Sequence, residues 1–322
     1  MDGLVQLKRA TIAAGSERSA PSARLAPKPE WLKVRLPGGE GYTRVRDLLR
    51  GLNLHTVCEE SRCPNVAECW GGGTATVMLM GGVCSRGCRF CHVANGERKP
   101  LDPDEPAHLA EAVSQLGLKY LVVTSVDRDE LSDQGAGHFA NAIRELKRRS
   151  PDTLLEVLIP DFRGERDLVA QIVDAGPDVI AHNLETVRRL TPTVRDHRAG
   201  YDQSLRVLRL IKDLKPDLPT KSSIMLGLGE QESELQQGFV DLRGAGVDVL
   251  TLGQYLQPSS WNLKVERFVP PVEFERLRQA ALALGYLYVA AGPLVRSSYR
   301  AAEFFMEAML HKHPKPVAEV QS

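Results

Sequence analysis

The stretch CSRGCRFC sets Cys84, Cys88 and Cys91 in a C-x3-C-x2-C spacing and uses three of the chain's six cysteines. Three thiolates this close can ligate three corners of a cubane [4Fe–4S] cluster and leave one iron without a protein ligand. An open iron can bind a small molecule, whereas a fully ligated cluster mainly carries electrons. The competing arrangement is a structural zinc site completed by His92. Adjacent ligands such as Cys91 and His92 have poor geometry for it, and zinc motifs favour paired C-x2–4-C spacings. The other three cysteines, Cys58, Cys63 and Cys69, form C-x4-C-x5-C upstream. They suit an electron-relay cluster, but with no seventh cysteine such a cluster needs a non-cysteine fourth ligand or stays open. Near the far end, RSSYR holds Ser297 and Ser298 between Arg296 and Arg300. A hydroxyl binds iron only as alkoxide, which protonation releases; otherwise a serine pair is a loop or a cap.

These residues need a frame. The chain has 322 residues, 43% apolar and 25% charged, which is ordinary globular composition and allows one barrel-sized domain or two smaller ones. Lys plus Arg equals Asp plus Glu at 41 each. The broad basic surface of phosphate-driven binding is therefore missing, and no nucleic-acid partner is expected. No run of about 18 apolar residues occurs, so no membrane span is expected. Residues 1–27 are rich in Ala, Ser, Arg and Pro and lack the apolar centre of a secretory signal; they read as a disordered arm, and 306–322 as a frayed tail. Asp2, Glu17 and the prolines argue against a basic amphipathic presequence. Without export, clustered cysteines imply metal or redox chemistry rather than disulfides.

From about residue 74, short β-branched runs alternate with helical patterns. The candidate strands are 75–80, 119–125, 154–160, 178–183, 221–227, 247–253 and 286–292. DPDEPAHLAEAVSQLG is expected to open a helix with Asp102 as N-cap, Pro103 at the first helical position and Glu105 closing a capping box. In DQSLRVLRLIKDL, Leu205, Leu208, Ile211 and Leu214 recur at helical spacing. Nearly continuous apolar strands mean a sheet covered on both faces. The alternation predicts an α/β fold with a parallel sheet, a barrel or an incomplete one. In such folds chemistry gathers at the carboxyl ends of the strands. The Cys84 loop, TSVDRDE (124–130), HNLETV (182–187), GLGE (227–230), GQYLQPS (253–259) and GPLVRSSYR (292–300) all fall there.

The second triplet, on the first βα loop of such a chain, resembles the radical S-adenosylmethionine (SAM) superfamily. Together LHTVCEESRCPNVAECW, CSRGCRFC and RSSYR resemble its lipoyl synthase family. KPEWLKVRLPGGEGY, LDPDEP, TSVDRDEL, HNLETV, MLGLGE and LTLGQYLQPS extend the likeness over about residues 28 to 305. The resemblance implies a parallel partial (β/α)6 barrel of radical SAM type at 74–305, ending in the RSSYR segment. An N-terminal extension at 28–73 would carry the auxiliary-cluster cysteines. It also implies that Cys84, Cys88 and Cys91 hold the radical SAM cluster, whose open iron is chelated by the methionine moiety of SAM. Reductive cleavage then gives a 5′-deoxyadenosyl radical able to abstract hydrogen from an unactivated C–H bond.

The implied reaction inserts two sulfur atoms at carbons 6 and 8 of an octanoyl chain. That chain is amide-linked to a lysine of a lipoyl carrier domain, of dehydrogenase-complex E2 or glycine cleavage H protein type. The second [4Fe–4S] cluster, on Cys58, Cys63 and Cys69 with Ser298 as a labile fourth ligand, would be sacrificed as the sulfur source and rebuilt by iron–sulfur assembly proteins. An electron donor such as ferredoxin or flavodoxin is implied, in the cytoplasm for a bacterial-type protein or the mitochondrial matrix for a eukaryotic one. The chain departs from the family pattern at His92 (usually Asp), Gln134 and Ser223 (usually Gly) and Asn262 (usually His).

Other candidates have bland alternatives. Thr124, Ser125 and Asp127 follow a strand and are cofactor contacts or turn residues. Asn183 and Glu185 meet the cofactor's ribose or amino group, or cap a helix. By the superfamily resemblance Phe90 lies against the adenine; otherwise it only packs. Arg296 and Arg300 bind substrate, guiding an acidic carrier domain, or pair with nearby carboxylates. His55, His138 and His197 read as structural or surface groups. Two other readings remain: a different radical SAM sulfur-insertion enzyme, biotin synthase-like or a methylthiotransferase, and a zinc-stabilised scaffold without catalysis. The methylthiotransferase would carry a basic RNA-binding appendage, and biotin synthase does not pair an upstream triplet with RSSYR.

Overall fold

A computed structural model describes residues 28–33, 38–61, 63–71 and 75–298. The arm at 1–27, the tail at 306–322 and Arg300 lie outside the described residues. The strands are β1 (His55–Thr56), β2 (Thr76–Leu79), β3 (Val83–Cys84), β4 (Ala94–Asn95), β5 (Tyr120–Ser125), β6 (Leu154–Leu158), β7 (Val179–Ala181), β8 (Thr220–Leu226), β9 (Val249–Gln254) and β10 (Tyr288–Gly292). Eight of them form one sheet in the order β1-β2-β5-β6-β7-β8-β9-β10. Every pairing from β2 through β10 is parallel, and β1 lies antiparallel on β2. All seven strands expected from the sequence are present, in chain order, as a parallel α/β sheet of the expected kind.

The register explains the continuous apolar runs. Val77 pairs with Val123, Val123 with Val157, and Val157 with Ile180, and all four side chains are buried. Helices cover the outside: α4 (Glu105–Leu116), α5 (Ala136–Arg149), α6 (Arg166–Asp174), α8 (Tyr201–Leu214), α9 (Glu232–Gly244) and α10 (Pro271–Leu282), with the one-turn α7 (Thr191–Val194) before α8. In α8, Leu205, Leu208 and Ile211 are buried as their spacing requires, and Leu214 packs at the edge of the core. Three further helices, α1 (Glu40–Gly51), α2 (Val57–Glu60) and α3 (Val66–Gly71), precede β2, with β1 between the first two.

The expected start of α4 is corrected. The helix begins at Glu105, not after Asp102, and its N-cap Asp104 makes no side-chain cap. Asp102 instead accepts the Asp104 backbone N–H at 2.9 Å in a turn. Glu105 is buried and serves other donors: its carboxylate takes the Met80 N–H at 2.9 and 3.0 Å and meets the His138 ring at 2.6 Å. A carboxylate held by an N–H at a strand end cannot also close a capping box.

Two strand ends bear strain. Met80, after β2, and Glu185, beyond β7, have φ of 68° and 70°, the left-handed region that non-glycine residues avoid. Glu185 is still laddered to β8, donating to Ser223 O and accepting from Met225 N at 2.9 Å each. Both lie at the carboxyl side of the parallel strands, where the Cys84 loop emerges.

Candidate functional site

The second triplet sits on the loop between β3 and β4, which pair with each other as a short parallel ribbon. The loop is held by charges buried around Arg86, the residue between Cys84 and Cys88. Arg86 donates to both oxygens of Asp129 at 2.8 and 2.9 Å and to both of Asp161 at 2.6 and 2.8 Å. Asp127 stands 3.4 Å away as a third carboxylate. Burial alone would raise Asp161, but the Arg86 guanidinium holds it down at about 2. On the other side Asp196 accepts the Gly87 N–H at 2.8 Å and the Arg198 side chain at 2.8 Å, while Arg198 reaches Ser85 O at 2.7 Å. Backbone N–H groups point at the sulfurs: Arg86 and Asp127 at Cys84 (3.4 and 3.3 Å), and Asp196 at Cys88 (3.3 Å). Such N–H···S bonds favour thiolate and tune a cluster.

The first triplet is assembled differently. Thr56 caps α2 by accepting the Glu59 N–H at 3.2 Å, which fixes the turn carrying the buried Cys58. The Trp70 indole stacks on Tyr42 with centroids 5.0 Å apart. Its buried N–H has no nitrogen or oxygen partner and faces Cys58, whose thiolate it favours. The C-terminal segment reaches this region after β10. Val295 folds back so closely on β9 that a Cβ at Gly253 would lie 2.1 Å from Val295 O, so only glycine fits there. Arg296 follows, half-buried beside Cys63. Burial pushes its pKa down and the Cys63 charge opposes this.

All of these meet in one cavity of about 770 Å3, lined by Cys84, Cys88 and Cys91, by Cys58 and Cys63, and by Arg296, Ser297 and Ser298. Cys69 is not in its wall but lies near enough to Cys58 and Cys63 to feel their charge. The expected contacts Phe90, Thr124, Ser125, Asp127, Asn183 and Glu185 also line it. Phe90 packs beside Val194, Leu228 and Tyr255. Thr124 donates to Leu158 O at 2.8 Å, tying β5 to β6. Ser125 Oγ and Asn183 Oδ1 are buried without a partner, and Asn183 Nδ2 donates to Glu185 at 3.1 Å. Burial raises Glu185, with Arg195 opposing. Asp127 is pushed up to about 6 by burial, against the pull of Arg86.

Sequence reasoning passed over several residues of this wall. Arg195 is buried, forms no ion pair among the described residues, and leaves its Nε without a partner. His182, hydrogen-bonded to Ile159 O and Ser204 at 2.9 Å each, is lowered to about 4 by burial and by Arg195, and stays neutral. In sequence neither belongs to a recognisable spacing; the signal was only that both follow the fourth parallel strand. His55 and His138 pair with Glu60 and Glu105, and His197 is exposed.

The thiols fit two clusters. All six are free, and they fall into two groups whose members raise one another. Burial, then neighbouring charge, pushes Cys58 and Cys91 to about 11 and Cys69 and Cys84 to about 12. Cys88 is likewise pushed to about 12, chiefly by burial. Such thiols become thiolates together only when cations compensate them. Among the described residues no three His, Cys, Asp or Glu groups converge as one metal ion requires. A single zinc draws its ligands in to about 2.3 Å, whereas a cubane gives each thiolate its own iron and spreads the sulfurs.

Of the departures from the family pattern, Gln134 takes a left-handed φ of 52° where glycine is usual, and donates to Glu165 at 3.3 Å. Ser223 lies in β8 with ordinary φ. Asn262 donates from one amide nitrogen to Cys91 O at 2.8 Å and Arg89 O at 3.1 Å. His92 joins the cavity wall.

Comparison with known proteins bears on this geometry. A sequence model of the radical SAM superfamily matches residues 78–239, and one of the N-terminal domain of lipoyl synthase matches 11–63. A lipoyl synthase of Myxococcus xanthus is 64% identical over 286 residues, 88% of this chain and 96% of its own length. One from an Anaeromyxobacter species is 63% identical, over 90% of this chain and 98% of its own. Among solved structures, Streptococcus suis SuiB bound to its precursor peptide SuiA shares the fold at a TM-score of 0.53 and 12% identity, over 78% of this chain and 52% of SuiB. Identity of this extent, over a span that includes both triplets and the parallel sheet that follows them, puts the chain in the lipoyl synthase family of the radical SAM superfamily.

Proposed function

We propose that the chain carries out sulfur insertion at carbons 6 and 8 of an octanoyl group linked to a carrier-domain lysine. The observation that carries this reading is that the second triplet, Cys58 and Cys63 of the first, and Ser298 border one cavity, so that a cofactor site and a sulfur source would face the same substrate. Cys84, Cys88 and Cys91 would hold the cluster whose open iron takes SAM; bound there and reduced, the pair supplies the 5′-deoxyadenosyl radical.

The chain's own residues would do the rest. Glu185 and the free Asn183 Oδ1 accept from the cofactor's amino group or ribose, and the unpaired Arg195 Nε suits its carboxylate. Phe90 offers an apolar face for the adenine, and the apolar wall keeps water from a radical. Cys58, Cys63 and Cys69 with Ser298 hold the second cluster, a substrate consumed as sulfur donor. A serine oxygen is a suitable fourth ligand because protonation frees it. The partners that follow are octanoylated E2 or H-protein domains, which Arg296 and Arg300 would bind by charge, a ferredoxin- or flavodoxin-type electron donor, and cluster-assembly proteins. A reducing compartment, the bacterial cytoplasm or a mitochondrial matrix, suits six free thiols. No helix among the described residues is long and apolar enough to cross a membrane. We assign 28–73 and the RSSYR segment to the second cluster, and 74–305 to the barrel that ends in that segment.

The test is anaerobic incubation with an octanoyl-lysine peptide, a reductant and SAM, followed by mass spectrometry. The expected product carries two added sulfurs, from protein holding about eight iron and eight sulfide per chain. SAM cleavage with no sulfur transfer, from protein loaded to that level, would overturn the reading.

A further inference from the structure

The first-triplet site is built from two parts of the chain, and one side chain joins them. Asn65 lies between Cys63 and Cys69 and is almost fully buried at 3% exposure. Its backbone N–H faces the Cys63 sulfur, and its carbonyl accepts the Cys69 N–H at 2.9 Å. Its side-chain amide turns away from both and donates to Leu294 O at 2.7 Å, across 229 residues of sequence. Leu294 is four residues before Ser298, in the segment that Gly253 lets lie flat on β9 and whose Arg296 is half-buried beside Cys63.

From this arrangement we infer that Asn65 is a positioning residue that latches the Ser298-bearing segment onto the first triplet. The inference rests on the proposed role of Ser298 as fourth ligand. The latch fixes the segment at Leu294 and leaves Val295 to Ser298 as the only length that must move. When the Ser298 oxygen lets go of iron, the segment therefore stays docked and the oxygen remains within reach of a rebuilt cluster. A segment tied only by its iron bond would be lost at the first release. The amide must be a donor, because its partner is a backbone carbonyl.

The test uses full-length protein in which Cys84, Cys88 and Cys91 are alanine, so that only the first-triplet cluster is loaded. Asn65→Leu and Asn65→Asp both remove the donor, one apolar and one of unchanged size, and Ser298→Ala serves as reference. Two readouts apply: the electron paramagnetic resonance signal of a three-iron cluster, which marks loss of the iron at the non-cysteine corner, and hydrogen–deuterium exchange of the peptide covering 290–298. Both Asn65 variants should raise the three-iron signal toward that of Ser298→Ala and speed exchange in that peptide about tenfold, with the barrel unchanged. Ser298→Ala should raise the signal but leave exchange at Leu294 slow.

Wild-type values for both readouts in both Asn65 variants would overturn the latch. So would a raised signal without faster exchange, which would place the effect on Cys63 instead. Faster exchange throughout the barrel would make Asn65 a general core contact and overturn it too. If Ser298→Ala gives no three-iron signal, the fourth-ligand reading fails, and the exchange readout alone then decides whether Asn65 docks the segment.

Discussion

The two cysteine triplets use opposite means of holding their ligands. The second lies within one short loop, and its backbone is pinned by ions: buried Arg86 to Asp129 and Asp161 on one side, and buried Asp196 to the half-buried Arg198 on the other. The first draws on residues 58–69 and on a segment more than two hundred residues later. Their joint consists of one amide, one glycine contact and a half-buried Arg296. Buried, multiply bonded charges fix a geometry strongly, since moving any member strands the others. A single amide bond is far softer. On the proposed function, the site that would bind and cleave a cofactor repeatedly has the rigid frame, and the site whose contents would be removed and replaced has the loose one.

The largest test breaks the sites one at a time. Alanine at Cys58, Cys63 or Cys69 should abolish sulfur insertion while SAM cleavage continues, measured as 5′-deoxyadenosine by chromatography. Alanine at Cys84, Cys88 or Cys91 should abolish both. Loss of cleavage in the first set, with the cluster on Cys84, Cys88 and Cys91 still loaded, would mean that the two sites are not separate in function.

A smaller effect is expected from the frame. Arg86→Met leaves Asp129 and Asp161 buried without their partner, a change of about 3–5 kcal/mol by comparison with other broken buried pairs. Iron should fall to about four atoms per chain, lost from the second site, while the first-site cluster survives. Equal loss from both sites would show that the frame is not specific to its loop. The pH dependence has a definite sign. Asp161 is held below its ordinary value of 3.8, at about 2, so its contribution to stability is complete above about pH 4 and disappears as the pH falls toward 2. Arg86→Met should flatten that acid limb of the unfolding curve.

The sequence foretold the parts of the molecule that repeat or cluster. Seven strands followed from alternating apolar runs, and both triplets from cysteine spacing alone, since thiols so close together have few other uses. What stayed hidden was pairing across distance. Asp129, Asp161 and Asp196 each look like an ordinary loop acid, and only the fold brings them around Arg86 or onto Gly87. Asn65 shows nothing of its bond to Leu294, because one hydrogen bond between remote segments leaves no periodicity. The false capping box at Asp102 had the same origin. Local spacing favoured it, but the Met80 N–H and His138 claim the Glu105 carboxylate in three dimensions.

The smallest effect concerns how the rigid site meets its neighbour. Asn262 stands where the family usually has histidine, and one amide nitrogen serves both Arg89 O and Cys91 O, while Ser259 donates to its oxygen at 2.7 Å. Asn262→Ala deprives both carbonyls of their donor, worth about 1–2 kcal/mol, and should free the Cys91 end of the loop. Asn262→His keeps one ring N–H for two acceptors and should lie between alanine and wild type. The measurement is the rate at which a chelator removes iron from the second site, expected to rise several-fold for alanine and less for histidine. An equal rise at the first site would mean that Asn262 steadies the cavity as a whole. A rise confined to the second site would extend the frame around Arg86 to the loop after β9, and the contrast between the triplets would then include a rigid site held from three sides.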